Sequence, residues 1–228
     1  MITDNKNRHG NFTSSQIYRL LGAPKPRKTY IAECNMERNL GRSLRSEVTS
    51  RATSWGKFVE RRVFNLLDIN YTLCSDITLN HETIDCWAGS PDGFTDSCVI
   101  DIKCPQLKSF CELVSIKDQF QLKEEYPEYY WQLISNSILT KRNKAELIVY
   151  APYQNELEEI RKMCEDVDSD QLKEVYWINN SSDNELPYLL NDGFYSNLNI
   201  LSFDIDPKEQ EFLIEKILEY SKELTEFM

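Results

Sequence analysis

The spacing of apolar residues along the chain predicts helices first, short strands in the middle and a closing helix. Thr13-Ser14-Ser15, followed by Ile17, Leu20 and Leu21, predicts a short N-capped helix that ends near Gly22. Apolar periodicity predicts further helices over about 26–40, 52–67 and 126–140. Asp206-Pro207 supplies an N-cap and an N1 proline for the last helix, whose packing face is Leu213, Ile217, Tyr220 and Leu224.

Between these helices the chain contains short runs rich in β-branched, aromatic and aliphatic residues, bounded by turn residues. They predict strands over 71–74, 83–88, 98–104, 147–150 and 175–178. Residues 180–199, rich in Asn, Asp and Ser, predict an irregular connection. The order of elements favours one α/β domain over 1–228, with a mixed central sheet flanked by helices.

The bulk composition is that of a globular protein with a real core. Hydrophobic residues make up 41% of the chain and aromatic residues 11%, which argues against global disorder. No apolar run approaches the length of a membrane span, and the first residues lack an apolar signal segment. Seven cysteines without a Cys-x-x-Cys pair, and only two histidines, favour reduced thiols over a zinc cluster. We therefore expect a soluble, cytoplasmic protein with no membrane partner.

Charge is divided unevenly along the chain, although the net charge is -11. Residues 1–62 hold 13 Lys and Arg against 5 Asp and Glu, whereas residues 63–228 hold 13 against 32. A basic N-terminal part on an acidic body is typical of a polyanion-binding surface. An unevenly charged but merely solvated surface is the alternative, and charge alone does not decide between them.

The stretch that carries chemistry is Gly89-Ser90-Pro91-Asp92-Gly93, followed by Val99-Ile100-Asp101-Ile102-Lys103. Because strand side chains alternate between faces, Asp101 and Lys103 project together on the strand's outer face. The opposite face, predicted to be core, carries Cys98, Ile100, Ile102 and Cys104. Asp92 lies in a tight turn nine residues before Asp101, a distance that a hairpin can fold back.

Two carboxylates that converge on one point repel each other unless a cation lies between them. An oxygen-rich site of this kind suits Mg²⁺, or Mn²⁺ in its place, held by Asp92, Asp101, a backbone carbonyl, water and a substrate phosphate. The metal would polarise a phosphodiester and lower the pKa of a bound water. Lys103 would then orient or help to deprotonate that water and offset the charge that develops on phosphorus.

In order and at this spacing, these residues form the PD-(D/E)xK nuclease signature. The chain from about Arg8 to Pro152 resembles the lambda exonuclease, or YqaJ-type viral recombinase, branch of that superfamily. The resemblance implies a restriction-endonuclease-like core. It also implies that Glu60, which follows Trp55-Gly56-Lys57, is a further metal-site acid, that the Ile102 carbonyl is a metal ligand, and that Gln132 belongs to the catalytic set.

The resemblance extends to residues that would hold a 5′-terminal phosphate. Arg8 and Ser15 fall on the family's arginine and helix-start serine, and Ser90 falls on a further phosphate-proximal position. A helix start and an arginine are both suited to a phosphate, although plain helix capping also explains a serine such as Ser15. The family carries two glutamines at i, i+2, and here Ile134 stands in place of the second. This departure weakens the transfer of phosphate recognition and processivity.

The resemblance implies a Mg²⁺-dependent exonuclease that degrades one strand of duplex DNA 5′ to 3′ from an end. It implies double-stranded DNA ends and a single-strand annealing or recombinase protein as partners, and a ring-shaped homotrimer. Residues 1–62 would be the basic helical part, 63–152 the catalytic core and 153–228 an extension with no transferable motif. The alternatives are a PD-(D/E)xK nuclease of other polarity or endonucleolytic habit, and a non-catalytic DNA-binding or partner-recruiting domain.

Overall fold

A computed structural model describes residues 8–44, 50–67, 72–73 and 77–227. Their helices are α1 Tyr18–Leu21, α2 Pro24–Leu40, α3 Arg51–Leu66, α4 Leu107–Val114, α5 Gln119–Glu125, α6 Pro127–Thr140, α7 Leu157–Met163, α8 Ser169–Asn180 and α9 Pro207–Ser221. The strands are β1 Phe12–Thr13, β2 Thr72–Leu73, β3 Leu79–Asn80, β4 Trp87–Gly89, β5 Gly93–Phe94, β6 Cys98–Lys103, β7 Lys144–Tyr150 and β8 Leu198–Asp204. Short 3-10 turns occupy Ser14–Gln16, Gln154–Glu156 and Asp183–Glu185.

The larger sheet has five strands in the order β2-β5-β6-β7-β8. β6 and β7 are parallel, and the other neighbouring pairs are antiparallel. Lys103 at the end of β6 is in register with Val149, which is in register with Asn199 near the start of β8. The ends of β6 and β7 and the start of β8 therefore lie at one edge of the sheet, which we call the carboxyl edge.

A smaller sheet has three strands in the order β1-β4-β3. Its strand β4 ends three residues before Asp92. β1 and β4 are parallel, with Thr13 opposite Ala88. Gly89, the last residue of β4, lies where a Cβ atom would collide with the Ser14 hydroxyl and come within 2.6 Å of Asn136 Oδ1. A glycine is therefore required for this strand to approach the Ser14 turn and α6 so closely.

Two hydrophobic clusters cover the two faces of the larger sheet. One contains Val99 of β6 together with residues of α1, α2, α4, α6 and α9. The other contains residues of α3, α7 and α8 and, from β6 and the residue after it, Cys98, Ile100, Ile102 and Cys104. The predicted alternation of β6 is thus confirmed on its apolar face. The polar face is also covered, because α6 packs across it.

The longer predicted helices are confirmed, each within two residues of the expected start and end. The Asp206 side chain accepts a hydrogen bond from the Lys208 amide, and Pro207 occupies the first helical turn of α9. Leu213, Ile217 and Tyr220 are buried on its packing face, whereas Leu224, also predicted there, lies three residues beyond the end of α9 and is partly buried against the same cluster. Among described residues, no helix is long and apolar enough to cross a membrane.

Three local predictions are wrong, whereas the irregular connection predicted over 180–199 is confirmed over most of its length, with a 3-10 turn inside it and β8 starting at its end. Residues 175–178 lie in α8, where Val175 and Ile178 are buried three residues apart and Tyr176 between them is 60% exposed, which is helical spacing. Only the end of the predicted strand 83–88 pairs, in β4. Thr13 lies at the N-cap of a 3-10 turn but makes no side-chain capping hydrogen bond.

The predicted strand 71–74 is described only at β2, and Tyr71 and Cys74 lie outside the described residues. The six described cysteines are free thiols, and all except Cys111 are buried. Three short helices, α4, α5 and α7, were not predicted from the sequence. For α5 a signal was present in Asp118, whose carboxylate accepts hydrogen bonds from the Phe120 and Gln121 amides.

Candidate active site

The β5–β6 hairpin brings the two aspartates of the sequence motif together. Gly93 pairs with Ile100 across the hairpin. Asp92 lies in the bend immediately before β5 rather than in a tight turn of its own. Its Oδ2 accepts a hydrogen bond of 2.6 Å from the Ile102 amide. This contact holds the Asp92 carboxylate beside the part of β6 that carries Asp101.

Asp101 has no solvent exposure, which differs from the outer-face position expected of it. Its burial follows from α6, which lies across the polar face of β6. Oδ1 accepts a hydrogen bond of 2.7 Å from Gln132 Nε2. Oδ2 lies 2.6 Å from Lys103 Nζ, a salt bridge to the ammonium. Because each carboxylate oxygen has two lone pairs, Oδ2 can accept from Lys103 and still bind a cation.

Lys103 is held as a cation at the carboxyl edge. Burial by itself would lower the pKa of Lys103, but the neighbouring Asp101 and Asp92 carboxylates raise it above its ordinary value. The ammonium also lies 5.0 Å from the centre of the Tyr129 ring, a cation–π contact. In this arrangement the side chain is a donor of hydrogen bonds, suited to orienting water or phosphate oxygens.

Glu60 reaches the same site from α3, which approaches the end of β6 closely at Gly56. A Cβ atom on Gly56 would lie 3.4 Å from the Cys104 carbonyl oxygen, as expected for a small residue at a helix–strand contact. Burial raises the pKa of Glu60 to about 8, and repulsion from Asp92 adds to the rise. Burial and repulsion from Asp101 similarly raise the pKa of Asp92 to about 7. The three acids are therefore electrostatic neighbours.

The donor set fits Mg²⁺ or Mn²⁺ as a site completed by water and substrate. Among described side chains, no three of His, Cys, Asp or Glu converge closely enough to hold an ion alone. Mg²⁺ commonly takes one or two carboxylates and fills its other positions with water and phosphate oxygens. Asp92 and Asp101 are the two carboxylates that meet this description. Glu60 and the Ile102 carbonyl stay predicted ligands.

Two of the three predicted phosphate residues follow neighbouring strands of the small sheet. Because Thr13 is opposite Ala88 in the parallel β1–β4 pair, Ser15 and Ser90 lie at the same end of that sheet. The Ser90 hydroxyl lies 3.2 Å from that of Thr78. Arg8 lies at the start of the described chain, with its carbonyl oxygen accepting from the Asn11 amide at 3.3 Å. A joint phosphate role for Arg8, Ser15 and Ser90 stays a prediction.

The residue beside Ser15 has a structural role that the sequence did not indicate. The Ser14 hydroxyl lies 2.8 Å from the Ser135 hydroxyl of α6, which also accepts 2.8 Å from the Trp87 indole N–H. Both serines are buried. A signal in the sequence was the polar run Ser135-Asn136-Ser137 between apolar residues of α6. This network ties the candidate phosphate segment to the helix that carries Gln132.

The basic N-terminal part offers fewer exposed cations than its net charge suggested. Arg38 and Arg62 are buried, and Arg19 pairs with Glu33 at 2.6 Å. Arg62 pairs with Glu156 at 2.9 Å and with Glu159 at 2.7 Å. The exposed cations in the described residues of this part are Lys25, Lys28, Arg42, Arg51, Lys57 and Arg61. The positive surface of the described residues in this part therefore comes mainly from this exposed set.

No protein-family model and no curated protein matches the sequence. Solved exonuclease structures do match the fold. An alkaline exonuclease, LHK-Exo from Laribacter hongkongensis, superposes with a TM-score of 0.63 at 18% identity, covering 95% of this chain and 88% of that one. LHK-Exo in complex with dAMP gives the same TM-score and identity, with 96% and 89% covered. A phage-related exonuclease from Haemophilus somnus 129PT superposes with a TM-score of 0.54 at 15% identity. The match covers 94% of this chain and 92% of that one. The chain shares the fold of these exonucleases over nearly its whole length.

Proposed function

We propose that this chain is a Mg²⁺-dependent deoxyribonuclease that degrades one strand of duplex DNA 5′ to 3′ from an end and leaves 3′ single-stranded tails. The observation that carries the proposal is the convergence of Asp92, Asp101 and Lys103 at the carboxyl edge, with Glu60 facing them from α3. The likeness in fold to exonucleases supports the same interpretation.

Each side chain has a distinct part in the proposed hydrolysis. Asp92 and Asp101 would hold Mg²⁺, and Glu60 and the Ile102 carbonyl would complete the protein's share of the ligands. When bound, Mg²⁺ supplies Lewis-acid polarisation of the phosphodiester and a more acidic water. Lys103 would donate hydrogen bonds to the attacking water and to the phosphate oxygens, where negative charge accumulates.

Gln132 would act through Asp101 and not on the phosphate directly. Its amide hydrogen bond of 2.7 Å occupies Oδ1 and leaves Oδ2 directed toward Lys103. Partners of this kind fix the orientation of a metal-binding carboxylate. Gln132 is therefore a positioning residue in this proposal.

The direction of degradation would be set by a 5′-phosphate held near Ser15 and Ser90. Ser15 precedes α1, and Ser90 is only two residues from Asp92, so a phosphate there would lie near the catalytic acids. Ile134 is fully buried in the core, so it contributes no donor to that pocket. The contact with the terminal phosphate would rest on Arg8 and the serines.

A time course on a linear duplex tests the proposal. The duplex carries one 5′-phosphate end and different fluorophores on the two strands, and it is incubated with Mg²⁺, Mn²⁺ or EDTA. We expect progressive shortening of the 5′-phosphorylated strand with either metal and no shortening in EDTA. A covalently closed circular duplex should remain intact. Cleavage of the circle supports an endonuclease instead, and retention of the duplex without cleavage supports a non-catalytic binding domain.

Two further parts of the proposal concern assembly. A ring of three copies would enclose the duplex, and a single-strand annealing or recombinase protein would receive the 3′ tail. Sedimentation velocity of the full chain measures the first directly. A mass other than that of three chains would remove the ring from the proposal without affecting the chemistry.

A further inference from the structure

The loop that leads into β8 presents an exposed pair of aromatic rings beside the candidate active site. Phe194 is 94% exposed and Tyr195 is 40% exposed. Their ring centroids lie 5.2 Å apart in an edge-to-face arrangement. Leu190 in the same loop is 65% exposed. Single exposed apolar side chains are common, but three in one short loop form a patch that calls for a role.

This loop, residues 189–197, which we call the aromatic loop, is held firmly at both ends. The Leu189 amide donates a 2.8 Å hydrogen bond to the Pro152 carbonyl, and the Leu189 carbonyl accepts one of 2.8 Å from the Gln154 amide. At the other end the Asn197 carbonyl accepts 3.0 Å from the Ala151 amide, and its side chain donates 3.2 Å to Glu156. Because Glu156 also pairs with Arg62 of α3, the loop is tied to the helix that carries Glu60.

The aromatic loop lies at the same edge of the sheet as Lys103. Since Lys103, Val149 and Asn199 are in register, the start of β8 lies about 10 Å from the end of β6 by ordinary strand spacing. The Tyr195 ring packs edge-on against Phe110 of α4, with centroids 6.2 Å apart. α4 begins four residues after Lys103. Tyr195 therefore contacts the helix that begins beside Lys103, and Phe194 contacts Tyr195.

Exposed lysines at this edge would attract a polyanion bound at the Phe194 and Tyr195 rings. Lys57 of α3 is exposed and close enough to lower the pKa of Glu60. Lys108 at the start of α4 is 88% exposed, and its 3.9 Å approach to Glu112 is a weak surface pair. Asp192 is the one acid in the aromatic loop. A strand of DNA leaving Lys103 would thus pass positive charge before it reaches Phe194.

We propose that Phe194 and Tyr195 form a stacking platform for an unpaired nucleobase of single-stranded DNA next to the catalytic site. The proposal rests on the proposed function for its choice of ligand. Nucleobases stack on aromatic rings irrespective of sequence, and a ring already held in place loses little conformational freedom on binding. The exposed apolar area of three side chains is small for a protein–protein interface.

The test measures binding of fluorescein-labelled dT15 by anisotropy, with Ca²⁺ in place of Mg²⁺ and a gel to show that the probe stays intact. Phe194→Ala should weaken binding about tenfold, within the range for one base–aromatic stack. Phe194→Trp should bind dT15 at least as tightly as the wild type. Phe194→Leu should bind dT15 as weakly as Phe194→Ala. Tyr176→Ala, which removes an exposed ring from α8 on the opposite face of the sheet, should bind as the wild type does.

Each contrary result overturns the platform. Equal binding by wild type and Phe194→Ala, or full recovery in Phe194→Leu, would show that stacking contributes nothing. A change in sedimentation mass that accompanies the Phe194→Ala defect would assign the patch to an interface between copies of this chain. Cleavage of linear duplex by the wild type is measured in parallel. If the wild type does not cleave the duplex but its affinity for dT15 depends on Phe194, the nuclease proposal is wrong and the stacking platform is still supported.

Discussion

Gln132 on α6 donates a 2.7 Å hydrogen bond to Asp101 on β6, and this contact joins the helix that covers the sheet to the buried acid of the candidate site. Gln132→Ala should lower cleavage about 10- to 100-fold, the usual cost of removing a partner of a metal-binding group. Raising the Mg²⁺ concentration should recover part of the activity, because a misdirected carboxylate weakens metal affinity. A variant as active as wild type at low Mg²⁺ would exclude a positioning role.

Asp101→Asn and Lys103→Ala should each reduce cleavage by about 10³-fold or more, since one removes a metal-binding charge and the other the donor to water and phosphate. Because Asp101 is buried, the isosteric asparagine is the appropriate change. Circular dichroism melting checks the fold, and Asp96→Asn, exposed on the same hairpin, serves as the matched control. Retention of more than a tenth of the wild-type rate at saturating Mg²⁺ would remove that residue from the catalytic set.

The raised pKa values of Asp92 and Glu60, about 7 and about 8, predict how pH affects the metal-free protein. Their ordinary values are 3.8 and 4.5, so between these and the folded values the native state binds more protons than the unfolded chain. The free energy of unfolding should therefore fall as pH rises through this window, and the decrease should be complete above about pH 8.

Thermal melts in EDTA at pH 5.5, 7.0 and 8.5 measure this effect. Mg²⁺ should raise the melting temperature most at pH 8.5, where both acids are ionised and bind the cation best. Asp92→Asn should flatten the pH dependence, whereas Asp96→Asn should leave it unchanged. A melting temperature in EDTA that rises toward pH 8.5 contradicts the proposed crowding of carboxylates.

DNA affinity should reside mainly in the exposed cations of residues 1–62. Replacing Arg42, Arg45 and Arg51 with glutamine should flatten the dependence of log K on log salt by about 1 for each phosphate that is no longer neutralised. Arg42 and Arg51 are exposed, and Arg45 lies outside the described residues. Binding in Ca²⁺ across a salt series gives the slope. An unchanged slope would mean that this basic part serves something other than DNA.

End recognition should show a real but modest preference for a 5′-phosphate over a 5′-hydroxyl, roughly tenfold. One charge-assisted contact is worth about 1.5 to 3 kcal/mol, and the lower end of this range corresponds to about a tenfold preference. Arg8→Ala should erase most of the preference and spare slow cleavage of the hydroxyl end. Initial rates on the two duplexes decide the matter, and equal rates for the unmodified chain would favour an endonuclease.

The sequence by itself determined the helices with long apolar periodicity and the motif of candidate catalytic residues. Alternation along 98–104 was sufficient to place Asp101 with Lys103 on one face and Cys98, Ile100, Ile102 and Cys104 in the core, because side-chain direction in a strand is a local property. The N-cap and proline of α9 are likewise local signals.

Tertiary structure decided which polar groups are buried and what they meet. The burial of Asp101 follows from the packing of α6 across β6, and its partner Gln132 is 31 residues away in the chain. The run 175–178 has apolar residues typical of a strand, and only its packing against α3 selects a helix. Arg38 and Arg62 are buried and not part of the basic surface, because Arg38 binds the Gly10 carbonyl and Arg62 pairs with Glu156, both far away in the sequence. Local patterns specify backbone direction and face, whereas burial and charge pairing depend on contacts between segments far apart in sequence.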